Sequence, residues 1–215
     1  MAILSWPNTD ILDLMPVETA PFALHRQRQY SKGADGTVYR ADLAPPLWMC
    51  TITSVPMVHS LAQQVLALLQ ASEDDLSTFF VWDISLPAPQ ADPNGTILGA
   101  ATPTIASIDS SNRMVTIQAL PANYTLTRGD YISVLRASDS KRQLFKVVDP
   151  TVVASSAGIT PLFQLSPYIR TGMAVNDTVY LLKPAVEMVI QPGTLKVASQ
   201  DNLFTTLSFQ AIEAP

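Results

Sequence analysis

Charge is what this sequence lacks most. Only 14% of its 215 residues are Asp, Glu, Lys or Arg, against about 25% in an ordinary soluble domain. A monomer relies on ionised side chains to keep its surface hydrated, so the deficit predicts surface that partners cover. Thirteen Lys and Arg face 18 Asp and Glu, for a net charge of -5, and no basic run occurs along the chain. That disfavours binding nucleic acid through its phosphates. The single cysteine, Cys50, excludes an intramolecular disulfide. It lies in the apolar stretch Leu47 to Ile52 and reads as a buried structural thiol rather than a nucleophile. Mean hydropathy is +0.20, yet no run of about 18 uncharged apolar residues offers a membrane-spanning helix. At the N-terminus Pro7, Asp10 and Asp13 interrupt any signal-like apolar core. The expectation is therefore a protein kept inside the producing cell or freed by lysis.

Motifs of catalysis and cofactor binding are scarce as well. The chain has two histidines, His25 and His59, and neither has a carboxylate at metal-ligand spacing. No Gly-x-Ser-x-Gly elbow, Gly-x-Gly-x-x-Gly turn or phosphate loop is present. The sequence thus predicts no enzyme, no metal and no cofactor. Asp74 and Asp75 read as a solvated helix end rather than a catalytic pair. Arg128-Gly129-Asp130 spells an adhesion tripeptide, but its setting before an apolar run reads as a turn. The acceptor triplets at Asn94, Asn123 and Asn176 read as chance in a Ser/Thr-rich chain. Trp6, Trp48 and Trp82 are candidates for a sugar-stacking platform, but flanking strands they are better read as core or interface anchors.

What is abundant is the punctuation of a β protein. Seventeen prolines and many Ser, Thr, Asn and Asp separate short apolar runs. Strands are predicted at Trp48–Val55, Thr78–Ile84, Met114–Ala119, Tyr131–Arg136, Gln143–Val148, Leu162–Leu165, Thr178–Leu182, Val186–Gln191 and Phe204–Ile212. Gly33-Ala34-Asp35-Gly36 predicts a hairpin tip between Gln27–Ser31 and Thr37–Arg40, and Asp92–Gly95 and Asp109–Asn112 predict turns. One segment departs from this pattern. Ser60 and Gln63 form a capping box ahead of Leu61, Val65, Leu68 and Leu69, which predicts an amphipathic helix over 60–71. The prolines of Leu86 to Pro93 predict a stiff, extended linker. Beyond it, strands at short intervals to about residue 182 predict a small barrel or sandwich.

The order of these features resembles a known family. An N-terminal hairpin leads to Trp48-Met49-Cys50-Thr51-Ile52, then to the capped helix and the aromatic strand Phe79-Phe80-Val81-Trp82-Asp83. A β insertion carries Leu126-Thr127-Arg128-Gly129-Asp130-Tyr131-Ile132 and Pro167-Tyr168-Ile169-Arg170. It exits through Val179-Tyr180-Leu181-Leu182-Lys183-Pro184 towards the closing strand Phe204–Ile212. Over nearly the whole chain this is similar to the distal tail proteins of long, flexible-tailed bacteriophages and their prophage relatives. The resemblance implies a mainly β fold in which residues 1–90 and 183–215 form a discontinuous ring domain. That domain would be a β-sandwich with one helix and one hairpin, and residues 91–182 would be an inserted outward-facing β domain. It implies a homohexameric ring at the virion tail tip, assembled in the bacterial cytoplasm, with the tail tube protein on one face and the tail hub on the other. DNA would pass through the lumen, which an acidic balance suits. Candidate contact residues are Trp6 in the N-terminal segment and Tyr30, Val38 and Tyr39 in the hairpin, which can extend a neighbour's sheet. The alternatives are another tail component, such as a terminator or tube protein, and a carbohydrate-binding module of a receptor-binding apparatus.

Overall fold

Alternation of apolar and polar residues dictates a half-buried strand, and the last strand of the chain obeys it over ten residues. The computed structural model describes residues 11–74, 77–199 and 203–215. A short helix α1 (Ile11–Leu14) precedes β1 (Val17–Thr19) and β2 (Phe22–His25), and β3 (Arg28–Lys32) pairs with β4 (Val38–Asp42). Then come β5 (Leu47–Ser54), β6 (Met57–Val58), helix α2 (His59–Asp74) and β7 (Phe79–Val81). A run of β8 (Thr104–Ile108), β9 (Met114–Gln118), β10 (Thr125–Thr127), β11 (Tyr131–Leu135) and β12 (Arg142–Val147) follows. It continues through β13 (Thr151–Val153), β14 (Phe163–Ser166) and β15 (Thr178–Tyr180), and the chain ends with β16 (Val186–Ile190), β17 (Lys196–Ser199) and β18 (Phe204–Glu213).

Eight strands form one sheet, with β1 and β2 along one edge, β7 at the other, and β5, β18 and β16 between them. In β18 the buried residues are Thr205, Leu207, Phe209, Ala211 and Glu213, every second position. They share a face with Cys50 and Ile52 of β5 and with Met188 and Ile190 of β16. Helix α2 covers that face through Ala62, Val65, Leu69 and Ser72, spaced three and four residues apart as one helical stripe requires. Phe79 meets Phe209 edge-on at 6.1 Å. Each fully buried Leu, Val or Phe here contributes about 1.5–3 kcal/mol.

Six strands close a barrel in the order β11, β12, β14, β9, β8, β15. Its interior is a second core, including Ile105, Ile117, Ile132, Val134, Phe145 and Phe163. On β11 Ile132 and Val134 point inward, while Tyr131 belongs to the core under the sheet. The barrel is tied to the sheet along that flank. Trp48 donates from Nε1 to the Leu144 carbonyl at 2.8 Å, its ring lies 5.9 Å from that of Tyr131, and Ser133 Oγ donates to the Ala185 carbonyl at 2.5 Å.

The fold is mainly β with a closed six-strand barrel, as composition and punctuation predict. Several boundaries differ. Helix α2 begins at His59 and runs to Asp74, beyond the expected 60–71. The expected strand Thr78–Ile84 is only Phe79–Val81, and Thr178–Leu182 ends at Tyr180. The segment Leu86 to Pro93 is not an extended linker but a succession of turns and bends. Side chains explain the difference: Asp83 accepts the Ser85 amide at 2.9 Å, and Asp92 accepts those of Ile97 at 3.2 Å and Leu98 at 2.8 Å. Asx-type capture of following amides outweighs the extended preference of proline.

Candidate docking surface

The hairpin β3–β4 stands apart from both cores. Asp35 shapes its tip by accepting from the Thr37 amide at 3.0 Å and the Thr37 hydroxyl at 2.6 Å. Those bonds, the hydroxyl's first, hold the Asp35 carboxyl below its ordinary range. Gly36 takes φ +82°, which a tight turn requires and only glycine adopts freely. At the base Arg28 Nε meets Asp42 Oδ1 at 2.5 Å, and the Leu43 amide reaches the Gln27 carbonyl at 2.9 Å. All ten strand residues are exposed.

Register assigns the faces, because directly paired residues project to the same side. Tyr30 pairs with Arg40 and Val38 with Lys32, so Tyr30 and Val38 share one face; Tyr39, opposite Ser31, occupies the other. Tyr30 is 62%, Val38 55% and Tyr39 60% exposed. The hairpin thus presents apolar groups to solvent on both sides. Trp6 lies outside the described residues. Trp48 and Trp82 are buried and so unable to form a sugar-stacking platform. Cys50 is buried, and desolvation pushes its thiol up to about 12, which removes the thiolate at neutral pH. The Arg128-Gly129-Asp130 segment is a turn in which the buried Asp130 carboxylate accepts the Thr127 amide at 2.7 Å. No group of three or more His, Cys, Asp or Glu that could hold a metal occurs among the described residues. No described helix is long and apolar enough to cross a membrane.

Cavities around the hairpin base form a feature that the sequence conceals. One of about 250 Å³ is walled by Arg26, Arg28, Arg113, Gln164 and Tyr168. It shares Arg26 with an apolar cleft of about 500 Å³ between β2 and the barrel, floored by Phe22, Leu24 and Trp48. It shares Arg113 and Tyr168 with a third cavity of about 590 Å³ towards Arg136 and Arg170. Arg28, Arg40 and Asp42 bound a fourth against the hairpin. A cationic trough results, assembled from segments more than a hundred residues apart. No contiguous signal announces it.

Deep in the same region Glu213 is the pivot. Its carboxylate accepts from Arg170 at 2.8 and 2.9 Å and from the Trp48 amide at 2.9 Å. Arg170 also donates to the Pro46 carbonyl at 2.8 Å. The clamp joins the barrel loop after β14, the end of β18 and the start of β5, the strand that follows the hairpin.

No protein-family model and no curated protein matches the chain.

Proposed function

We propose that this chain is a structural ring subunit of a phage tail tip, acting through protein contacts and not through catalysis. The observation that carries the reading is the projecting hairpin. An isolated two-stranded hairpin is marginal in water, and exposed aromatic residues on both of its faces are the mark of a surface awaiting a partner. Inserted against a neighbouring copy, Tyr30 and Val38 would pack on one side and Tyr39 on the other. Repetition of such a head-to-tail contact closes a ring. The proposed assembly is a homohexamer between the tail tube protein and the tail hub, with the barrel directed outward and DNA passing through the lumen. A barrel with its own core supports the distal ring over a tube or terminator protein. The burial of Trp48 and Trp82 counts against the carbohydrate-binding alternative.

The test is a hairpin variant, Tyr30→Ser with Tyr39→Ser, compared with wild type by sedimentation velocity. Buried interface tyrosines cost about 2 kcal/mol or more on truncation, so subunit association should weaken at least about tenfold. The far-ultraviolet spectrum, and the melting temperature at dilutions where neither chain associates, should remain unchanged, because neither side chain belongs to a core. Association unchanged in the variant would remove the hairpin from the interface.

A further inference from the structure

Eight of the chain's 13 Lys and Arg line the four adjoining cavities, and Asp42 is the one carboxylate among the described residues that joins them. With their ion-pair partners Asp42, Asp139 and Glu213, the trough cations carry +8 against -3, a net of +5, in a protein of net -5. The remaining 5 cations and 15 anions leave the rest of the molecule at -10. Arg28, Arg136 and Arg170 are neutralised by Asp42, Asp139 and Glu213. Arg26, Arg40, Arg113, Arg128 and Lys146 form no ion pair among the described residues.

We infer that the trough receives the carboxylate-rich C-terminal end of α2 from a second copy of this chain. This rests on the ring reading and identifies the surface that meets the trough. Two observations support that occupant. First, a molecule divided into +5 and -10 regions is complementary to itself when copies associate. Second, α2 ends in Glu73 and Asp74 with no basic residue in its last turn, so the negative end of its dipole has no cation of its own, and arginines of a neighbour would satisfy it. Guanidinium groups bind carboxylates as planar forks, so the contact fixes register as well as strength.

Charge reversal and its rescue test this. Arg26→Glu with Arg113→Glu changes two exposed, unpaired residues; Glu73→Lys with Asp74→Lys changes the other surface; a third chain carries all four. Each double variant should raise the subunit dissociation constant at least tenfold while keeping the melting temperature of the wild-type monomer at dilutions where no chain associates, and the fourfold chain should recover association. Wild-type association should weaken as salt rises and the Debye length falls from about 10 Å at 0.1 M to about 3 Å at 1 M. Rings that form normally in every variant overturn the inference and leave the ring reading intact. A wild-type chain that never associates overturns both. Weakening without rescue in the fourfold chain overturns α2 as the occupant. So does binding of a short oligothymidylate that is lost with Arg26 and Arg113 while association is unchanged.

Discussion

Removing Arg170 would leave a carboxylate stranded. The Glu213 side chain is 1% and that of Arg170 12% exposed, so neither is well served by water. In Arg170→Met the apolar stem is replaced in kind, but Glu213 keeps only the Trp48 amide of its three hydrogen bonds, and the Pro46 carbonyl loses its donor. Breaking a buried ion pair from one side costs about 3–5 kcal/mol, about a fifth or more of the roughly 5–15 kcal/mol that stabilises a typical domain. Neutralising the stranded acid with Glu213→Gln should recover part of the loss, because the oxygen of the new carboxamide still accepts from the Trp48 amide. Arg170→Met with Glu213→Gln is therefore expected to be more stable than Arg170→Met alone by about 1–3 kcal/mol. Urea denaturation followed by tryptophan fluorescence measures both, since Trp48 sits at the clamp. A cost below about 1 kcal/mol for Arg170→Met would refute the argument: it would mean that water reaches the pair, as it does in surface salt bridges.

Other perturbations separate the remaining elements of the account. Gly158 has φ +73° and a Cβ there would meet the backbone carbonyl of Leu120, so Gly158→Ala should cost at least about 2 kcal/mol by urea denaturation. Gly36→Ala, with nothing near its Cβ, should cost only about 1–2 kcal/mol; equal costs would contradict the close approach at Gly158. Cys50 should resist aromatic disulfide reagents at pH 8 in the native state and react once urea is added, and rapid native labelling would show the thiol to be accessible. Burial opposes ionisation of Asp92, but the amides of Leu98, Ile97 and Thr96 outweigh it and hold its carboxyl below the ordinary value. A depressed folded value gives stability that is present above the unfolded carboxylate pKa of about 3.9 and lost as pH falls through the folded value. Asp92→Asn should lower the melting temperature at pH 7 and flatten its decline below about pH 4; an unchanged acid profile would remove Asp92 from that role.

Where one physical signal dominates, the sequence is readable. The strict alternation of Phe204 to Glu213 and the spacing of Val65, Leu68 and Leu69 require burial of one face, and the fold supplies it. Gly33 to Gly36 mark the hairpin because few other residues tolerate that turn. Strands of three residues such as Val17–Thr19, Thr125–Thr127 and Thr151–Val153 carry no comparable period, and they form because neighbouring strands pair with them. The turns and bends from Leu86 to Pro93 pass for an extended linker when proline is weighed alone, without the carboxylates of Asp83 and Asp92 beside it. Of the candidate contacts, Tyr30, Val38 and Tyr39 are exposed on one hairpin. The trough is invisible in the sequence because a net charge averages over the chain, whereas folding gathers Arg26, Arg113 and Arg128 from distant segments.

Assembly of this chain with copies of itself through its hairpin is open to direct measurement. The most direct test is the solution mass by light scattering over a concentration series, with negative-stain imaging of the main peak. A six-fold ring of about 140 kDa, six copies of 23.3 kDa, is expected, which the Tyr30→Ser, Tyr39→Ser variant fails to form. A monomer of 23.3 kDa at every concentration would contradict it.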